Sequence, residues 1–184
     1  MKEKWLYTAF QSFAECGPTQ LSINSIAKEI GVPRTTFYHY FADKENLIEE
    51  LLAMYMTYVD KFIDEGKTCC KQLIPDLYIL LEKYALSLQF SRQLLLNRTE
   101  PHFNLVFQKG RQKTNKIIVP LFISYYNFNV PDNLAEELWN SLTESWYLRL
   151  DPKDVTVESM QKLTEEIMQT VLKFAQSKLF LKLI

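Results

Sequence analysis

Residues 34 to 39 read Arg-Thr-Thr-Phe-Tyr-His, and five of these six side chains carry hydrogen-bonding groups without a single carboxylate. A guanidinium fork, two hydroxyls with their methyl groups, a phenol and an imidazole are the donors, acceptors and apolar contacts that suit base edges and phosphates. Phe37 and Phe41 are four residues apart and predicted to face inward, which leaves Arg34, Thr35, Thr36, Tyr38 and His39 on the outward face of one short helix. His39, as an isolated imidazole, suits a base or phosphate neighbour better than a catalyst. Tyr38 and Tyr40 have two readings, contact with DNA or packing within a helical bundle.

The elements that must position this face are predicted from spacing and breakers. A first helix over residues 2 to 16 places Leu6, Phe10, Phe13 and Ala14 on one side and stops at Gly17-Pro18. Ser22 offers an N-cap oxygen to a second helix with Ile23, Ile26, Ala27 and Ile30 inside. Gly31 ends it, and Pro33 restarts the chain as a helix over about 33 to 40. Asp43 caps a long fourth helix striped by Leu47, Ile48, Leu51, Leu52, Tyr55, Val59 and Phe62. Two short helices around a tight Gly31-Val32-Pro33 turn form a helix-turn-helix, whose second helix must protrude far enough to enter a major groove about 12 Å wide.

The string Ala14, Gly17, Ser22, Ile26-Ala27 and the run from Gly31 through Phe37-Tyr38-His39-Tyr40-Phe41-Ala42-Asp43-Lys44 to Leu47 resembles the DNA-binding signature of the TetR/AcrR family. It differs from the usual pattern in having Pro33 where serine is common and Thr35 where glycine is common. The resemblance implies base and phosphate contacts from Arg34, Thr35, Thr36, Tyr38 and His39. It also implies phosphate contacts from Ser22 at the start of the second helix, from Tyr40, and from Lys44 at the start of the fourth. Free backbone N–H groups at a helix N-terminus suit a phosphate independently. A cation at Lys44 works against the helix dipole, a conflict that a bound phosphate would relieve, although Lys44 also fits as a solvated residue near a cap. The implied plan is an all-α chain with a helix-turn-helix DNA-binding domain over residues 1–46 and a helical regulatory and dimerisation domain over 47–184. The implied function is a transcriptional regulator, read as a cytoplasmic repressor, whose partner is a double-stranded DNA operator. The alternative is a family-like helical adaptor or coactivator acting through a protein partner.

Composition agrees with the helical reading. Hydrophobic residues make up 47% and charged residues 23%, enough for a packed core, and four glycines with seven prolines disfavour a turn-rich β architecture. The net charge of −1 gives the DNA reading no help, and residues 1–44 balance five Lys/Arg against four Asp/Glu, so the case rests on motif geometry. The longest apolar run, Ile117 to Ile123, contains Pro120 and is far too short for a membrane span. Lys2, Glu3 and Lys4 lead into an amphipathic run, not a signal peptide. Cys16, Cys69 and Cys70 lack metal-ligand spacing, and no metal or cofactor is expected. The chain has no GxSxG, no HExxH and no phosphate-cradling glycine loop, so it is not expected to be an enzyme.

Beyond Gly66 further helices are predicted over 75–90, 92–97, 101–125, 131–150 and 156–177. Lys109, Arg111, Lys113 and Lys116 occupy an acid-free window from Pro101 to Pro131, readable as a second anion-binding surface or as the solvated face of one helix. Tyr78, Phe103, Phe107, Trp139 and Tyr147 are candidates to line a pocket for a small hydrophobic or aromatic effector, or simply core. The stripes Leu134, Leu138, Leu142, Trp146 and Leu163, Ile167, Val171, Phe174 predict a homodimer through the last two helices. The family resemblance implies that an effector would act by moving the long fourth helix.

Overall fold

The computed structural model describes residues 1–181, with side chains through Lys173. Every regular element in this span is helical. In chain order they are α1 (Lys2–Gln20), α2 (Ile23–Ile30), a 3-10 helix (Arg34–His39), α3 (Lys44–Cys69), a single π turn (Leu73–Leu77), α4 (Tyr78–Lys83), α5 (Ala85–Leu96), α6 (Pro101–Tyr126), α7 (Asp132–Arg149) and α8 (Val157–Leu181). The chain forms two compact units, one of residues 1–69 with 84–117, the other of 70–83 with the remainder from 118.

In the first unit, α1 buries Trp5, Ala9, Phe10, Phe13 and Ala14, residues recurring three and four apart on one helical face. Its regular course ends at Gly17, where φ +77° and ψ 176° describe a conformation essentially restricted to glycine. Pro18 follows. Ser22 caps α2 by accepting from the Ser25 N–H (3.3 Å). Gly31, at φ +72°, closes α2 in a left-handed conformation. The Val32 N–H then donates to the Ala27 carbonyl (3.0 Å) and the Gly31 N–H to that of Lys28 (3.3 Å), the paired bonds of a Schellman ending. Asp43 caps α3 through the Asn46 N–H (2.7 Å).

An aromatic stack joins three helices of this unit. Phe90 of α5 lies nearly parallel to Phe10 (4.4 Å between centroids), Phe13 (4.2 Å) and Tyr55 of α3 (5.3 Å). The Tyr55 hydroxyl shares a hydrogen bond with Ser91 Oγ (2.8 Å), so the one polar group in the stack is satisfied. A Cβ on Gly110 would come within 2.8 Å of that hydroxyl, so only glycine lets α6 pass here at this distance.

The course between residues 75 and 97 departs from the predicted one. The helix expected over 75–90 breaks at Tyr84, and the piece expected over 92–97 is the second half of α5. Tyr84 is drawn onto α3, edge-on to Phe62 (5.5 Å) with its hydroxyl donating to Glu65 Oε2 (3.0 Å). This tertiary docking overrides a local sequence that is uniformly helix-forming.

In the second unit, the Tyr78 hydroxyl donates to Thr164 Oγ1 (2.6 Å), linking α4 to α8. Phe122 contacts Trp139 (5.1 Å), Phe128 (5.3 Å) and Tyr126 (5.3 Å). Arg149 of α7 pairs with Glu166 of α8 (2.8 Å), and the Thr156 hydroxyl caps α8 by accepting from the Ser159 N–H (3.3 Å).

Candidate nucleic-acid interface

The segment from Arg34 to His39 is a 3-10 helix of six residues, where a third α-helix was predicted. Its ends are closed by bonds between residues three apart, Thr36 N–H to the Pro33 carbonyl (3.0 Å) and Tyr40 N–H to that of Phe37 (2.9 Å). Pro33 is extended, so the helical run starts late and has too few residues to establish the wider α spiral. What holds it is a single anchor. Phe37 is completely buried, edge-on to Trp5 of α1 (5.4 Å) and tilted against Phe41 (5.1 Å).

With Phe37 turned in, Arg34, Thr35, Tyr38 and His39 are exposed, as is Tyr40 to a lesser degree. Tyr38 keeps 54% of its surface accessible, so it does not serve primarily as bundle packing. Arg34 Nη2 donates to the Tyr38 hydroxyl (3.1 Å), and the guanidinium lies 5.9 Å from the ring centroid. Sequence reasoning treated these two as separate contacts; their spacing of four was the signal that would have paired them. Thr36 is half-buried and donates its hydroxyl to the Pro33 carbonyl (2.7 Å), so its hydrogen is committed within its own turn.

Ser22 and Lys44 are half-buried. The Ser22 hydroxyl serves the α2 cap described above. Lys44 Nζ donates to the Pro18 carbonyl (2.9 Å), a link between the start of α3 and the end of α1 that no motif signals. Of its three donors, this bond uses one. Gln93 of α5 fastens the same end of α1, its Nε2 donating to the Glu15 carbonyl (3.3 Å). Lys2 pairs with Glu50 (2.7 Å) and stands over the Phe41 ring.

The basic segment of α6 lies on the same unit. Lys113 pairs with Asp60 of α3 (2.6 Å), and Arg111 donates to Gln108 and lies over Phe107 (5.5 Å). Lys109 and Lys116 are exposed.

The five aromatic effector candidates divide between the units. Phe103 and Phe107 are buried in the first, Phe103 edge-on to Phe13 (5.7 Å). Tyr78, Trp139 and Tyr147 belong to the second. Tyr78 is buried on Thr164, Trp139 half-buried on Phe122, and Tyr147 half-buried beside Trp146 (5.5 Å). Burial pushes the Tyr78 phenol well above the usual tyrosine range, against the opposing effect of the Thr164 hydrogen bond. Tyr126 is pushed up to about 12, first by burial and then by its neighbours Tyr125 and Glu165. An open groove of about 470 Å³ between α1 and α2 is lined by Glu3, Lys4, Tyr7, Thr8, Glu29 and Ile30, none of them among the effector candidates.

These features define an all-helical protein with an amino-terminal helix-turn-helix, its second helix exposed and free of acid. Residues 6–51 match the sequence profile of the bacterial regulatory proteins of the TetR family. The chain is 21% identical over 155 residues to the biofilm operon icaADBC HTH-type negative transcriptional regulator IcaR of Staphylococcus aureus (strain Newman), spanning 81% of this chain and 83% of that one. Its fold is similar to that of a transcriptional regulator from Aquifex aeolicus VF5, with a TM-score of 0.61 at 18% identity over 94% of this chain and 98% of that one. It is also similar to FadR of Bacillus subtilis in complex with stearoyl-CoA, with a TM-score of 0.53 at 15% identity over 91% and 97%. The amino-terminal segment is thus of the TetR-family type, and the rest of the chain shares the fold of TetR/AcrR transcriptional regulators, a family of regulators and not of enzymes. Among the described residues no helix is long and apolar enough to cross a membrane.

Proposed function

We propose that the chain is a repressor that binds a palindromic operator as a homodimer. The observation that carries this reading is the exposed, acid-free face of Arg34, Thr35, Tyr38 and His39, set on the buried anchor Phe37 within the segment that matches the family profile. The sign of regulation is taken from the relative named a negative regulator. Thr36, Tyr40, Ser22 and Lys44 complete the docking surface. Tyr40 and Lys44 serve phosphates, Lys44 with the donors left after its bond to Pro18, and Ser22 sits where the N–H groups at the start of α2 meet the backbone.

The dimer is assigned to α7 and α8. Trp146 and Ile167 of the apolar stripes are buried within the second unit, Leu138, Leu142, Leu163 and Val171 are half-buried, and Phe174 lies outside the side chains described. The outward face of α7 is instead Leu134, Leu138, Ser141, Ser145 and Leu148, recurring at helical spacing, with Leu134 49% and Leu148 58% exposed. Leu172 adds an apolar group on α8. Leucines separated by serines suit close approach of a second copy. A two-fold pair would set its recognition segments to successive turns of one DNA face, about 34–36 Å apart.

A small apolar or aromatic effector is assigned to the second unit, with Tyr78, Trp139 and Tyr147 as contacts. The solved relative that holds stearoyl-CoA supports an apolar ligand class. Electrophoretic mobility shift of duplexes selected from a random library tests the core of the proposal. Enrichment of an inverted repeat bound at nanomolar concentration in physiological salt is the result expected, and binding of all duplexes alike would reject it.

A further inference from the structure

We propose that Tyr38 is a positioning residue for Arg34, and that the two act as one preformed base-reading unit. This rests on the DNA-binding reading above and adds to it which side chain sets specificity and what holds it. The geometry is a continuous brace. Phe37 is buried against Trp5 and Phe41, Tyr38 stands edge-on to Phe37 (5.2 Å, 89° between planes), and Arg34 reaches over Tyr38 to its hydroxyl (3.1 Å). Each member is therefore held by the one beneath it, from the core of the first unit out to an exposed guanidinium.

The chemistry fits a base contact. An arginine carries five N–H donors in a planar fork. One N–H of Nη2 is used on Tyr38, and the opposite edge keeps two parallel donors, the pattern that guanine O6 and N7 accept. Holding the side chain beforehand removes the loss of rotamer freedom that a solvated arginine would incur on binding. The ring face below the guanidinium adds attraction without competing for those donors. Tyr38 accepts from Arg34, so its own O–H remains to donate to a phosphate oxygen beside the base. One residue then ties backbone position to base identity.

That double role predicts two separable effects of Tyr38→Phe, a substitution that keeps the ring and its packing. Loss of the phosphate donor weakens binding to every duplex by the same factor. Loss of the hydroxyl acceptor weakens discrimination at one base pair only. The test uses duplexes enriched by the wild-type chain and a full set of their single-base-pair variants, titrated with the wild type, Y38F, R34A and the R34A/Y38F double variant. Wild type should discriminate about 5- to 150-fold at the pair read by Arg34, and R34A should abolish the preference there. Y38F should lower that one ratio by about 2- to 10-fold, leaving the ratios at other positions unchanged. The double variant should discriminate no worse there than R34A alone. An unchanged ratio in Y38F overturns the coupling while leaving the DNA-binding reading intact. A fall in discrimination by Y38F of equal size at every position of the site overturns it equally. A wild-type chain that enriches no sequence sinks the DNA-binding reading and this inference with it.

Discussion

Trp5 of α1 stands edge-on to Phe37 of the recognition segment, ring centroids 5.4 Å apart, and both rings are completely buried. A six-residue 3-10 helix has poor internal hydrogen-bond geometry, so this contact supplies the fixed orientation that its own backbone cannot. Phe37→Ala should destabilise the protein by about 3–5 kcal/mol and abolish operator binding. Phe37→Leu, which refills most of the space, should recover much of the stability. Chemical denaturation of both variants checks this, and an Ala variant within about 1 kcal/mol of wild type would show that the segment is held by something else.

Lys44 bonds the Pro18 carbonyl (2.9 Å) and is assigned a phosphate as well. Lys44→Met should weaken binding to all duplexes alike and reduce the slope of log affinity against log salt by about one. A slope equal to that of the wild type would confine Lys44 to its bond with α1.

Two glycines at positive φ are expected to differ in sensitivity. Gly31 (φ +72°) has nothing within 4 Å of a built Cβ, whereas at Gly17 (φ +77°) that Cβ would lie 2.7 Å from Gln93 Oε1. Gly31→Ala should therefore cost only the left-handed strain, about 1–2 kcal/mol. Gly17→Ala should cost more, because ψ 176° adds a conformation that other residues avoid, at about 1–3 kcal/mol, and Gln93 must also give way. Thermal melts of the two variants should rank in that order, and the reverse ranking would contradict the packing of α5 on α1.

Alkaline pH should destabilise the second unit. The folded-state values of Tyr78 and Tyr126 are raised above the ordinary 10.0, the latter to about 12. Between these values the unfolded chain has lost protons that the folded chain keeps, so stability falls as pH rises through this window and is fully present below pH 10. Tyr78→Phe should lower stability at neutral pH by removing the bond to Thr164 and should flatten the decline above pH 10. Urea titrations at pH 8 and pH 11 test both halves of the statement.

The dimer face proposed on α7 is tested by charge. Leu134→Glu with Leu148→Glu should give a monomer in sedimentation at micromolar concentration and lose operator affinity while keeping its helical content. An unaffected dimer would place the interface elsewhere.

The helix-turn-helix was legible in the sequence because its determinants are local. Ser22, Gly31, Pro33 and Asp43 set the caps and breaks of α2, the recognition segment and α3 through their own backbone preferences and hydrogen bonds. The spacing of Ile26, Ala27, Phe37 and Phe41 marked the inward faces, and the polar outward face followed. Tertiary structure decided what depends on neighbours distant in sequence. The anchoring of Phe37 beneath Trp5 and the docking of Tyr84 on Phe62 and Glu65 involve partners outside any local window. Aromatic spacing marked Phe103, Phe107, Tyr78, Trp139 and Tyr147 as lining either a pocket or a core, but a period identifies a face and not what it joins. The fold assigned the first two to one unit and the other three to the second, because long-range burial alone selects which apolar faces meet.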